Sequence, residues 1–156
     1  MSSRRSLGFT LFELLVVMAL MGVLLALVIP VLSAGPAQQA RSHGEELLSV
    51  LHLLRGRAVA EGLEYGLYFE PGGYQRMARI GGHWRSQEDY PLPDGLHFRL
   101  EVEGYASNLV ERGGGPQVLI LSNDEFSAFS LHYESAQGRW LTLSGDGIND
   151  ATIHEG

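Results

Sequence analysis

Arg4-Arg5-Ser6-Leu7-Gly8-Phe9-Thr10-Leu11-Phe12-Glu13-Leu14-Leu15 opens the chain and runs into an apolar stretch that reaches Leu32. Between Phe9 and Leu32 the only ionisable residue is Glu13. A helix over 9–32 would be roughly 36 Å long at about 1.5 Å per residue, enough to reach across a hydrocarbon core of about 30 Å. A cleaved secretory signal shares the basic start and the apolar core. This run is longer than a usual signal core, and Ala34-Gly35-Pro36 makes a poor cleavage site after it. The expectation is therefore a retained transmembrane helix over 9–32. Arg4 and Arg5 put its N-terminus in the cytoplasm by the positive-inside rule, leaving the rest of the chain on the far side of the membrane. Glu13 has two readings at this point. A carboxylate within an apolar span is a candidate functional group; the plainer alternative is a shallow side chain that reaches the headgroups or is protonated.

Composition narrows what the remainder can do. The 156 residues leave room for one modest domain behind the apolar segment. Net charge is −7, every basic residue is arginine, and only Arg4, Arg5 and Glu13 precede residue 31, so the domain is the more acidic part. Arg55 with Arg57 and Arg76 with Arg79 are small groups interleaved with acids. A nucleic-acid partner is disfavoured on that charge balance. There is no cysteine, which excludes a disulfide framework and a thiolate metal centre.

After Pro30, where a proline inside a helix favours a kink, the pattern becomes one-sided. Ala40, Leu47, Leu51, Leu54 and Ala58 recur at three- and four-residue spacing, the signature of an amphipathic helix over 33–62 whose stripe packs on a sheet. Arg41, Glu45, Glu46, Arg55 and Glu61 mostly avoid that stripe, and Gly62 supplies a stop. From Tyr65 the period falls to two. Tyr65–Phe69 and Tyr74–Ile80 flank Pro71-Gly72-Gly73 as a hairpin, and Gly81-Gly82 turns the chain toward Trp84. Leu96, Phe98, Leu100 and Val102 alternate with His97, Arg99, Glu101 and Glu103, one dry face and one wet. Residues 104–116 read as a long polar loop, Val118–Leu121 as a central strand, and Phe126–Tyr133 and Trp140–Leu143 as further strands. The fold class expected is α+β: a long N-terminal helix, half transmembrane and half amphipathic, on an antiparallel β domain spanning 63–156.

No catalytic constellation emerges. His43, His52, His83, His97, His132 and His154 are scattered without zinc-ligand spacing, and the glycine-rich loops lack the Lys-Ser/Thr of a phosphate cradle. Asp146-Gly147-Ile148-Asn149-Asp150 has calcium-loop composition but neither the alternating ligands nor the distal glutamate, and it reads as a polar terminal turn. Trp84 and Trp140 read as core or sheet-edge anchors. No enzyme activity, metal or cofactor is expected.

Gly8-Phe9-Thr10-Leu11-Phe12-Glu13 ahead of an apolar helix resembles the leader and helix start of type IV pilins and type II secretion pseudopilins. The resemblance implies a cleaved leader over 1–8, cut by a prepilin peptidase between Gly8 and Phe9. It implies N-methylation of the new terminal Phe9 and an assembly contact between Glu13 of one subunit and the Phe9 amine of another. It also implies a pilin-like fold, with a helix kink or local melting at Pro30. Farther along, Arg57-Ala58-Val59-Ala60-Glu61-Gly62, Leu92-Pro93-Asp94-Gly95-Leu96 and the Pro116–Phe129 stretch resemble the H-type minor pseudopilins, although Asn123-Asp124-Glu125 stands where that type often has Ser-Gly-Glu. The implied function is a non-catalytic subunit of the periplasmic pseudopilus that drives protein export across the outer membrane, placed near its tip. The implied partners are the major and other minor pseudopilins, the prepilin peptidase, the inner-membrane assembly platform and the membrane itself. A minor pilin of a type IV pilus, serving priming, adhesion or DNA uptake, is the alternative.

Overall fold

The computed structural model describes residues 11–28, 35–110 and 114–156. The chain divides into two compact units between Gly35 and Pro36. In the first, α1 (Leu11–Val28) is 18 residues of Leu, Val, Met and Ala with one glycine and one acid, a composition rich in good helix formers. It has no polar face: Leu11, Phe12, Leu14, Leu15, Met18, Leu20, Met21 and Val23 are all exposed.

The transmembrane part of the expected fold is overturned, and with it the single-pass inner-membrane placement with a cytoplasmic N-terminus and a periplasmic domain. No helix among the described residues is long and apolar enough to cross a membrane. Eighteen residues give about 27 Å at 1.5 Å per residue, short of a hydrocarbon core of about 30 Å. The second helix is amphipathic and keeps its polar face wet. Pro30 lies outside the described residues.

In the second unit α2 (Pro36–Glu61) opens on proline, which costs no hydrogen bond in a first turn. It closes at Gly62, whose φ of +64° suits glycine alone without strain. Its expected stripe is its buried stripe: Ala40, Leu47, Leu51, Leu54 and Ala58 are inaccessible to solvent. The strands are β1 (Tyr65–Glu70), β2 (Gly73–Ile80), β3 (His83–Pro91), β4 (His97–Val102), β5 (Tyr105–Ser107), β6 (Val118–Ile120), β7 (Phe129–Ser135), β8 (Gly138–Gly145) and β9 (Thr152–Glu155). They form two antiparallel sheets, ordered β3-β2-β1-β6 and β5-β4-β7-β8-β9, where the sequence pattern suggested one. Phe69, Tyr74, Phe98 and Tyr133 meet between the sheets, with Phe69 and Phe98 edge to face at 5.7 Å and Phe98 and Tyr133 at 5.1 Å. Such pairs add about 0.5–1.5 kcal/mol each beyond the area they bury.

Several local readings hold, and others shift. The hairpin joins Phe69 to Tyr74 in register, and Phe98 and Leu100 face the core while His97 and Arg99 face water. Strand β6 is an end strand rather than a central one. Its outer side is closed locally: Leu119 N–H donates to Ser127 Oγ at 3.0 Å, and Ser127 N–H donates back to the Leu119 carbonyl at 2.9 Å. The polar stretch after Gly104 contains β5, and its far end lies over the first sheet. There Tyr68 hydroxyl donates to the Val110 carbonyl at 2.8 Å, and Pro116 packs where a Cβ on Gly66 would stand. That cover explains why β1 is buried on both faces. The Asp146–Asp150 turn is not terminal, because β9 follows it and pairs with β8.

Candidate functional site

Of the residues singled out for maturation and assembly, Gly8 and Phe9 lie outside the described residues, as does Pro30. Glu13 lies in the first turn of α1 with its side chain exposed. Helix N-termini favour carboxylates, because the unpaired N–H groups carry partial positive charge.

The most built polar site lies elsewhere, on Arg55. Four residues after Leu51 and three before Ala58, it stands at the border of the buried stripe, where a charged side chain is ordinarily left in water. Its side chain is nevertheless 9% exposed. Nε donates to Asp124 Oδ1 at 3.0 Å and Nη1 to Asp150 Oδ1 at 2.9 Å. Nη2 donates to the carbonyls of Asp124 at 3.2 Å and Ile148 at 3.1 Å, and Nη1 reaches the Asn149 carbonyl at 3.5 Å. The guanidinium also lies 5.1 Å from the centre of the Phe126 ring. One planar cation thus spends its donors on two turns that would otherwise leave backbone carbonyls unpaired, a task for which arginine's fork is suited and lysine's point charge is not.

The turn it holds is self-capped. Asp146 Oδ1 accepts from the Ile148 and Asn149 N–H groups at 3.0 and 2.8 Å, and Oδ2 accepts from Asn149 Nδ2 at 2.7 Å. These bonds, the Asn149 side chain first, pull the Asp146 carboxyl down to about 2. The carboxylates that looked like calcium ligands are therefore occupied by protein donors. Among the described residues no group of three or more His, Asp or Glu is placed to hold a metal ion.

Two of the scattered histidines are buried. His43 is buried, its Nδ1 is 3.0 Å from Tyr133 Oη, and its ring meets Tyr74 edge-on at 5.6 Å. Burial pushes its pKa down, against smaller upward contributions from Glu46 and the Pro91 carbonyl. His132 pairs with Thr142 Oγ1 at 2.9 Å, and burial followed by Arg139 and Arg99 depresses it as well. His97 is exposed on its strand as read.

These features define a subunit built for assembly, with an apolar helix that has no polar face and a two-sheet domain of pilin-like architecture. Residues 3–29 match the prokaryotic N-terminal methylation motif. The chain is 36% identical to the type II secretion system protein H of Pseudomonas aeruginosa over 93% of its own length and 94% of that protein's. It is 31% identical to the protein of the same description from Aeromonas hydrophila, over 84% and 82%. The solution structure of Escherichia coli GspH superposes with a TM-score of 0.64 at 20% identity, covering 76% of this chain and 89% of that one. The crystal structure of the Vibrio cholerae minor pseudopilin EpsH superposes at 0.62 and 16% identity, over 76% and 93%. The chain belongs to the type II secretion system protein H family: it is a minor pseudopilin, a structural rather than catalytic subunit that works within the pseudopilus.

Proposed function

We propose that the chain enters the pseudopilus after a prepilin peptidase removes residues 1–8 between Gly8 and Phe9 and the new Phe9 amine is methylated. The mature helix then packs among the helices of other pseudopilins, major and minor, near the tip of the filament and above an assembly platform. The observation that carries this reading is α1 itself. A helix apolar on every side has to be buried against something, and here its large side chains face outward, Leu11 at 82% and Phe12 at 77% exposure. Neighbouring subunits supply that cover.

Glu13 fixes the register. An α-amine keeps its proton near neutral pH, with a reference pKa of about 7.7–8.0, so Phe9 of one subunit offers a cation to Glu13 of the next. In an apolar setting a matched pair is tolerated, whereas a misregistered one leaves charges uncompensated at several kcal/mol each. Pro30 supplies a bend after this contact. The test is co-isolation of tagged full-length chain with the other pseudopilins from secreting cells. Glu13→Ala is expected to recover at least about tenfold less partner, the equivalent of about 1.4 kcal/mol, while Glu13→Asp recovers part of it. Undiminished recovery with Glu13→Ala removes the register role.

A further inference from the structure

Two Asp-Gly pairs stand in this chain, Asp94-Gly95 and Asp146-Gly147. An aspartate before glycine can close a five-membered ring on its own backbone, because glycine has no side chain to shield the attacking nitrogen. The glycine nitrogen bonds to the aspartate Cγ, while the carboxyl hydroxyl leaves with the amide hydrogen as water. The succinimide then takes up one water at either carbonyl. One opening returns aspartate; the other gives an isoaspartyl link that lengthens the main chain by a methylene. Nothing is oxidised or reduced.

The fold sets the two pairs apart. Asp94 is exposed on the turn between β3 and β4. Leu96 N–H closes that turn on the Pro93 carbonyl at 3.2 Å, the long end of the normal range. Among the described residues neither the Asp94 carboxylate nor the Gly95 N–H has a hydrogen-bond partner. Gly95 has a φ of +83°, and a Cβ there would meet nothing within 4 Å, so no neighbour crowds the ring.

Asp146 lies in the opposite setting. Its Oδ1 accepts from the Ile148 and Asn149 N–H groups at 3.0 and 2.8 Å, and its Oδ2 from Asn149 Nδ2 at 2.7 Å. These bonds hold the carboxyl down to about 2, whereas ring closure needs the protonated acid, whose hydroxyl leaves. Against an ordinary aspartate near 3.9, the reactive form at neutral pH is scarcer by more than about tenfold. The backbone is confined as well. The Gly147 carbonyl accepts from Phe126 N–H at 2.9 Å, and a Cβ on Gly147 would stand 2.7 Å from the Phe126 carbonyl oxygen.

We infer that Asp94 is a site of spontaneous isomerisation to isoaspartate in the folded protein, and that the fold protects Asp146 from the same reaction. The added methylene enters just before Leu96, which is buried, and so at the start of β4.

The test keeps the full-length chain, folded or unfolded in urea, at neutral pH for several weeks. Isoaspartate in the two peptides is then mapped with protein L-isoaspartyl methyltransferase and by fragmentation mass spectrometry. In the folded chain Asp94 is expected to carry at least about tenfold more isoaspartate than Asp146. In urea the two should react comparably, and Asp94→Glu, which needs a larger ring, should silence its peptide. As much isoaspartate at Asp146 as at Asp94 in the folded chain, or none at Asp94, would overturn the assignment. The same preference in urea would show that sequence rather than fold sets it, and would overturn the protection.

Discussion

Arg55 shows how a charge on a helix can be structural without announcing it. Its acceptors lie 69 to 95 residues away, so no local spacing reveals them; the sequence pattern places it among the charges avoiding the apolar stripe. Removing the guanidinium leaves Asp124, Asp150 and two or three carbonyls without their donor. Breaking a buried pair costs about 3–5 kcal/mol, and the exposure of both carboxylates puts this case near or below the lower figure. Arg55→Ala is therefore expected to lower the melting temperature by about 10 °C for a domain of this size, and Arg55→Lys to recover little of it, both read by thermal unfolding. His43, on α2, was equally illegible, because its Tyr133 partner lies on β7, 90 residues away. Its depressed pKa means that the unfolded chain takes up a proton first, near the ordinary histidine value of about 6.5. Stability is then retained above that pH and falls as the pH drops toward the folded-state value. Tyr133, Tyr74 and Phe98 face the ring, and Glu46 provides the nearest opposing charge. His132 is depressed too, so melting temperatures measured from pH 7.5 to 5 should fall, less steeply in His43→Gln and least when His132→Gln is added.

Elements were more legible than residues. The amphipathic stripe of α2 and the alternation of β4 are local periodicities enforced by a single buried face, so composition alone reveals them. Strand β6 misled because a short apolar run looks the same whether it lies inside a sheet or at an end roofed by a helix. Strand β9, with only Ile153 half-buried among polar residues, carries too little pattern to be seen, and the division into two sheets depends on pairings between distant segments. Gly44 is a further element-scale feature that spacing hides. It lies in α2 where a Cβ would run into the Leu141 side chain of β8, so glycine sets how closely helix and sheet approach. Gly44→Val is expected to destabilise the domain by about 1–3 kcal/mol through overpacking, despite valine's better helix propensity than glycine; denaturant unfolding checks the sign.

At the scale of the molecule, the two units divide the work. The domain folds on its own core, whereas α1 is apolar without a core of its own, and reading it as a membrane span followed from apolar length alone. Apolar length to Leu32 suggested a span, whereas no helix among the described residues is long and apolar enough to cross a membrane. The N-terminal methylation motif was legible because it is linear: residues 3–29 match it in sequence order, without any fold to bring them together. The central claim, that this chain is a processed assembly subunit, is tested most directly by intact-mass and N-terminal peptide analysis of the protein from cells that express the peptidase. The account predicts a chain that begins at Phe9 and carries one added methyl group on its amine. A chain that still begins at Met1 in those cells, or one that begins beyond Pro30, would contradict it.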